Sequence, residues 1–121
     1  MAIKSVILVS IPVSDQERAR DFYVNKLGLS LKTDSSAIPG MRWIEVAPKG
    51  GGPSLTLVTW FKSMPPGSLN GLVLTSDDIR ADYDLLVAKG VKFEGSPKEQ
   101  PWGTEVVFSD PDGNRIVLHN A

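Results

Sequence analysis

The chain is 121 residues long, enough for one domain to bury a core without disulfides or a structural metal. With 41% hydrophobic and 22% charged residues and a formal net charge of −1, it is an ordinary globular composition, with no basic footprint for nucleic acid and no polybasic membrane signal. Cysteine is absent, which excludes disulfides, a thiol nucleophile and a thiolate metal site, and fits the cytoplasm.

Residues 6–13, Val-Ile-Leu-Val-Ser-Ile-Pro-Val, are β-branched and apolar and predict a strand. Lys4 precedes this run as in a signal peptide, but Ser10 and Pro12 interrupt it and it flows into Asp15-Gln-Glu-Arg without a small-residue cleavage pattern. No stretch approaches the roughly 20 apolar residues of a membrane span. Ser14-Asp-Gln-Glu17 has the form of a capping box, and Ala19, Phe22, Tyr23 and Leu27 follow at helical spacing up to Gly28. Strands are predicted at 42–47 and 54–60, joined by the turn Pro48-Lys-Gly-Gly-Gly-Pro53. That glycine run lacks the lysine-serine/threonine ending of a phosphate loop and joins two strands, so it reads as a hairpin.

After Met64-Pro-Pro-Gly-Ser68 the order restarts. Leu72–Thr75 reads as a strand, Ser76 or Asp77 as a cap, and Ile79, Tyr83, Leu86 and Val87 as a helical stripe ending at Gly90. The pair Asp77-Asp78 fits the macrodipole of a helix start better than a metal site. Extended structure resumes at 91–93, Ser96–Pro101 reads as a loop, and strands at 104–109 and 115–119 flank the turn Asp110-Pro-Asp-Gly-Asn114. An offset of 63 residues lays Asp15 on Asp78, Asp21 on Asp84 and Phe22 on Leu85. The chain therefore reads as one domain, 1–121, made of two modules of like order, about 1–62 and 69–121.

The doubled unit, with Val13-x-Asp15, Ala19, Phe22-Tyr23 and Leu27-Gly28 early and Pro101-Trp-Gly, Phe108-x-Asp110-Pro-Asp-Gly-Asn114-x-Ile-x-Leu118 late, resembles the vicinal oxygen chelate superfamily. Glyoxalase I, extradiol dioxygenases, fosfomycin-resistance enzymes and bleomycin-resistance binding proteins belong to it. The resemblance implies an α+β fold of two βαβββ modules, whose cupped, mostly antiparallel sheets surround a cleft, and a homodimer, often with modules paired across chains. It also implies four metal-ligand positions, which fall here on Leu8, Thr56, Gly71 and Val117. None is a normal ligand for a first-row metal, so the resemblance does not license glyoxalase or dioxygenase chemistry.

If Thr56 and Val117 face the cleft, strand alternation adds Ser54, Val58, Trp60, Arg115 and His119. The neighbouring strands then place Trp43, Glu45, Glu105 and Val107 there, with Ile44, Val46, Val106 and Phe108 towards the helices. Trp102 stands in a loop able to close over the site. Trp43, Trp60 and Trp102 suit an apolar ligand pocket or, equally, core or dimer packing. Glu45, Glu105 and His119 suit recognition of a polar ligand or proton transfer, against a solvated rim paired with Arg42 or Arg115; two residues from the end, His119 reads first as a strand terminus. Three functions follow. The leading one is a metal-independent binding protein without cofactor, acting by sequestration or sensing on a small-molecule ligand. The second is an enzyme using Glu45, Glu105 or His119 as acid and base or as a relocated divalent-metal site. The third is an interaction module with an empty cleft.

Overall fold

The computed structural model describes residues 2–120. Strand β1 (Leu8–Pro12) leads into helix α1 (Gln16–Arg20), which widens into a π-helical turn over Asp21–Lys26. Strands β2 (Ser30–Ile38), β3 (Met41–Ala47) and β4 (Ser54–Val58) complete a four-stranded sheet ordered β1-β4-β3-β2. The second unit has β5 (Asn70–Thr75), helix α2 (Ile79–Ala88), β6 (Lys92–Phe93), β7 (Lys98–Gln100), β8 (Gly103–Ser109) and β9 (Arg115–Asn120). Its sheet runs β5-β9-β8-β6, and β7 also pairs with β8. In each sheet the first strand lies parallel to the last, and the other pairings are antiparallel.

The expected strand and helix order is present, with local corrections. Strand β2 was not foreseen: Ser30-Leu-Lys-Thr-Asp-Ser-Ser-Ala-Ile has little apolar alternation, and its mostly exposed chain is held by pairing with β3 across two irregularities. Asp15, not Ser14, caps α1, accepting from the Arg18 N–H at 3.1 Å. Glu17 does not close a capping box; it pairs with Arg42 at 2.8 Å. Likewise Asp78, rather than Ser76 or Asp77, caps α2 through the Ala81 N–H at 3.1 Å. The Ser76 hydroxyl instead donates to Asp82. The segment expected as a loop at 96–101 contains β7, which forms a hairpin with β8.

One core joins the units. Ile11, Leu55, Leu57, Ile44 and Val46 of the first sheet share it with Val106, Phe108, Ile116 and Leu118 of the second, with Phe22, Tyr23, Ile79 and Leu86 from the helical segments between. Phe22 and Tyr23 are consecutive yet both buried, at 4% and 0% exposure. The wide turn, closed by the Leu27 N–H on the Phe22 carbonyl at 3.0 Å, brings successive side chains towards the core where a regular α-helix would separate them by about 100°. Val87, expected on the inner stripe of α2, is 47% exposed; it lies one position beyond Leu86, off the buried side of a short helix.

The turn at 110–114 does more than join β8 to β9. Asp110 accepts from the Asp112 and Asn114 N–H groups within the turn and, through Oδ2, from the Tyr23 hydroxyl at 2.7 Å. Buried Asn114 donates to the Pro12 carbonyl at 2.8 Å and accepts from the Leu69 N–H. Asp112 receives the Ser14 N–H, the Ser14 hydroxyl and the Arg18 guanidinium. Burial, reinforced by the Asp110 carboxylate, pushes the Tyr23 phenol well above its ordinary value. Gly67, at φ +86, passes so close to the Asp112 carbonyl that any Cβ would collide with it.

Candidate ligand site

The face of each sheet turned away from the helices carries a row of polar side chains. Ile44, Val46, Leu55 and Leu57 are buried against the helices, so alternation turns Trp43, Glu45 and Thr56 to the other face. Register then aligns Thr33, Glu45, Thr56 and Ser10 as neighbours across β2, β3, β4 and β1. In the second sheet the corresponding row is Lys98, Glu105, His119 and Thr75 across β7, β8, β9 and β5. Glu45 and Glu105 thus hold like places, each beside the matching residue of the neighbouring strand, Thr56 and His119.

The first sheet adds aromatic surface. Trp43 and Trp60 stack with ring centroids 6.2 Å apart and planes at 23°, and Phe61 lies against Trp60 at 6.3 Å. The Trp43 indole N–H donates to Glu45 Oε1 at 3.3 Å, which leaves the second carboxylate oxygen available. Thr56, 1% exposed, donates its hydroxyl to Ser10 Oγ at 3.2 Å. Trp60 sits just past β4 rather than within it, and Val58, on the same side of the strand as Thr56, is buried like it. Ser10 and Phe61 were missed as site residues; the signal for Phe61 was its adjacency to Trp60.

In the second sheet the His119 Nε2 lies 3.0 Å from the Trp102 carbonyl. A carbonyl only accepts, so in this contact the Nε2–H of the ring donates to it. Trp102 occupies the two-residue tip of the β7–β8 hairpin and is 63% exposed. Arg115 is engaged elsewhere, forming a two-bond pair with Glu94 at 2.7 Å, while Arg42 binds Asp34 and Glu17. Those guanidiniums hold the Asp34 and Glu94 carboxyls below their ordinary range, and neither neutralises Glu45 or Glu105.

The chain therefore brings Trp43, Glu45, Thr56 and Trp60 together on one sheet, and Glu105, Val117, His119 and Trp102 on the other. No hydrogen bond or ring contact among the described residues joins the two sets. Nor, among those residues, do three His, Asp or Glu side chains form a group able to hold a metal. Leu8 is the register partner of Ser54, Val117 that of Val73, and Gly71, at φ +91, sits at the irregularity between Asn70 and Leu72. By row the counterpart of Thr56 is His119 rather than Val117, and the 63-residue offset carries Thr56 onto His119 as well.

Two units of like order, each a strand, a helical segment and further strands in one mixed sheet, place the chain in the glyoxalase-like class of folds. The chain belongs to the Glyoxalase/Bleomycin resistance protein/Dioxygenase superfamily, whose family model matches residues 5–118. It is 37% identical to YetH of Bacillus subtilis (strain 168), covering 96% of this chain and 98% of that one. Among solved structures it is similar to TnmS3, an antibiotic binding protein from Streptomyces sp. CB03234, with 54% identity, a TM-score of 0.93 and coverage of 99% and 98%. A superfamily member from Sphaerobacter thermophilus DSM 20745 shares 37% identity at a TM-score of 0.90 over both full chains. No helix among the described residues is long and apolar enough to cross a membrane.

Proposed function

We propose that this protein binds a small, largely aromatic molecule without a metal, sequestering or sensing it in the cytoplasm as a homodimer. The observation that carries the reading is the near-parallel Trp43–Trp60 pair beside Glu45 on the open face of the first sheet. Such a face offers stacking area for a planar ligand and one carboxylate oxygen for a ligand donor or cation. TnmS3, at 54% identity, supports a ligand of antibiotic type.

The donor chemistry supports the metal-independent part. Leu8, Gly71 and Val117 supply no side-chain ligand atom, and the Thr56 hydroxyl is buried and donates to Ser10; this set does not fit the divalent ion of the superfamily's enzymes. Substituting His119 for Val117 by row leaves one good donor. The homodimer is supported by the open edges of β1 and β5 and by exposed Ile3, Val6, Ile7 and Val73 beside them. Across such a dimer the row bearing Glu105 and His119, with Trp102 at its rim, would close the cup that Trp43 and Glu45 begin.

Titration with a panel of planar polycyclic antibiotics, read by tryptophan fluorescence in the presence of a chelator, tests the reading. Stoichiometric quenching is expected, with affinity falling at least about tenfold, ~1.4 kcal/mol, in Trp43→Ala and in Trp60→Ala. Binding that both substitutions leave unchanged, or that chelation abolishes and a divalent metal restores, overturns it.

A further inference from the structure

We propose a second ligand site on the helical side of the sheets, at the seam between the units, for an apolar molecule bearing one anionic head group such as a medium-chain carboxylate. An open pocket of about 480 Å³ lies there, within the range of small-molecule sites. Leu27, Leu29, Leu55, Leu74, Leu86 and Leu118 contribute to its wall. Leu55 and Leu118 each adjoin a residue of the polar rows, Thr56 and His119, and alternation directs neighbours to opposite faces. Val73 and Thr75 also line it, so it opens at the β5 edge, but none of Trp43, Glu45, Thr56 and Trp60 does, and it is separate from the Trp43–Glu45 face.

The shape follows from the unequal helices. Phe22 fills the core against Phe108, with centroids 6.4 Å apart, whereas Leu85, its counterpart by the 63-residue offset, is 53% exposed and stands at the pocket. Gly28, Gly50 and Gly51 line the opposite side, and a Cβ on any of them would meet open space.

The charge follows from what is already bound. Asp82 lines the pocket but accepts the Ser76 hydroxyl. Lys89 donates to the Asn25 and Lys26 carbonyls at 3.3 Å, pinning α2 to the end of the π-turn. Lys26 also lines the pocket, and its ammonium makes no ion pair among the described residues. Two ammonium groups against one hydrogen-bonded carboxylate favour an anionic head, and Lys26 is the group free to meet it.

The test is a titration with sodium decanoate, followed by methyl NMR of the leucines and by the indole signals of Trp43 and Trp60. One decanoate per chain is expected, with saturable shifts at Leu55, Leu74 and Leu118 and none at the indoles. Lys26→Met should weaken binding about tenfold and Lys26→Arg restore it, and decanol should bind the native protein about as weakly as decanoate binds Lys26→Met. Leu85→Trp, at an exposed position the fold tolerates, should block the pocket. Three results overturn the proposal: no saturable leucine shifts, equal affinity for decanoate and decanol, or leucine signals that change with protein concentration alone, which would assign the pocket to a second copy. Because the indoles report separately, failure here is distinguishable from failure of the Trp43–Trp60 site.

Discussion

The two units share an order of elements yet differ in how each spends its aromatic residues and its turn. The first buries Phe22 and Tyr23 through a π-helical turn and displays Trp43 and Trp60 on its open face. The second has a regular ten-residue α2, leaves Leu85 outside and displays Glu105 and His119 with one exposed tryptophan at a hairpin tip. The turn of the second unit reaches back to Pro12, Ser14, Arg18 and Tyr23 of the first. Among the described residues, the corresponding Pro48–Pro53 turn makes only a local bond, from Gly51 to Pro48. One duplicated scaffold thus assigns aromatic surface to one half and the locking turn to the other.

That contrast can be broken most forcefully at the paired positions 22 and 85. Phe22→Ala should cost about 3–5 kcal/mol, a buried ring leaving a cavity, while Leu85→Ala stays within about 0.5 kcal/mol. Urea unfolding measures both, and equal effects would mean that the helices are not packed unequally.

Next in size is the lock. Tyr23→Phe strips one donor from Asp110 Oδ2, which keeps the Asn114 amide, and should cost about 1–3 kcal/mol. It should also alter alkaline behaviour. Because burial and Asp110 raise the folded phenol, above the ordinary value near 10 the unfolded chain loses a proton that the folded chain keeps. Stability therefore falls as pH rises past 10, with a slope of up to about 1.4 kcal/mol per unit from this group. Melting curves between pH 9 and 11 should show that component in the native protein and lack it in Tyr23→Phe.

The smallest effects sharpen the symmetry. Asp15→Ala and Asp78→Ala each remove an equivalent N-cap bond and should cost about 1 kcal/mol apiece, with near-additive thermal shifts. A large loss at one cap and none at the other would mean that the repeat does not extend to helix initiation.

Much of this was legible beforehand. The doubled order, Gly28 and Gly90 as helix ends, and the inward set Ile44, Val46, Val106 and Phe108 all follow from local period and backbone freedom, and the structure has them so. The caps were misread because Ser14 and Ser76 are equally good capping types. The choice fell to Asp15 and Asp78 once the Ser14 hydroxyl bonded Asp112 and the Ser76 hydroxyl bonded Asp82, contacts 98 and 6 residues away in the chain. Strand β2 escaped notice because an exposed polar strand is defined by its partner rather than by its own pattern.

For the candidate site, side-chain alternation was enough to set Trp43 and Glu45 apart from Ile44 and Val46, and Glu105 apart from Val106. Tertiary structure alone decided that Trp43 stacks on Trp60, that His119 holds the Trp102 carbonyl, and that the two polar rows stand on separate sheets. The physical reason is range. Alternation and capping are set by neighbours a few residues apart, whereas which face meets which depends on how both sheets bury their apolar sides in one core, a competition no short window contains.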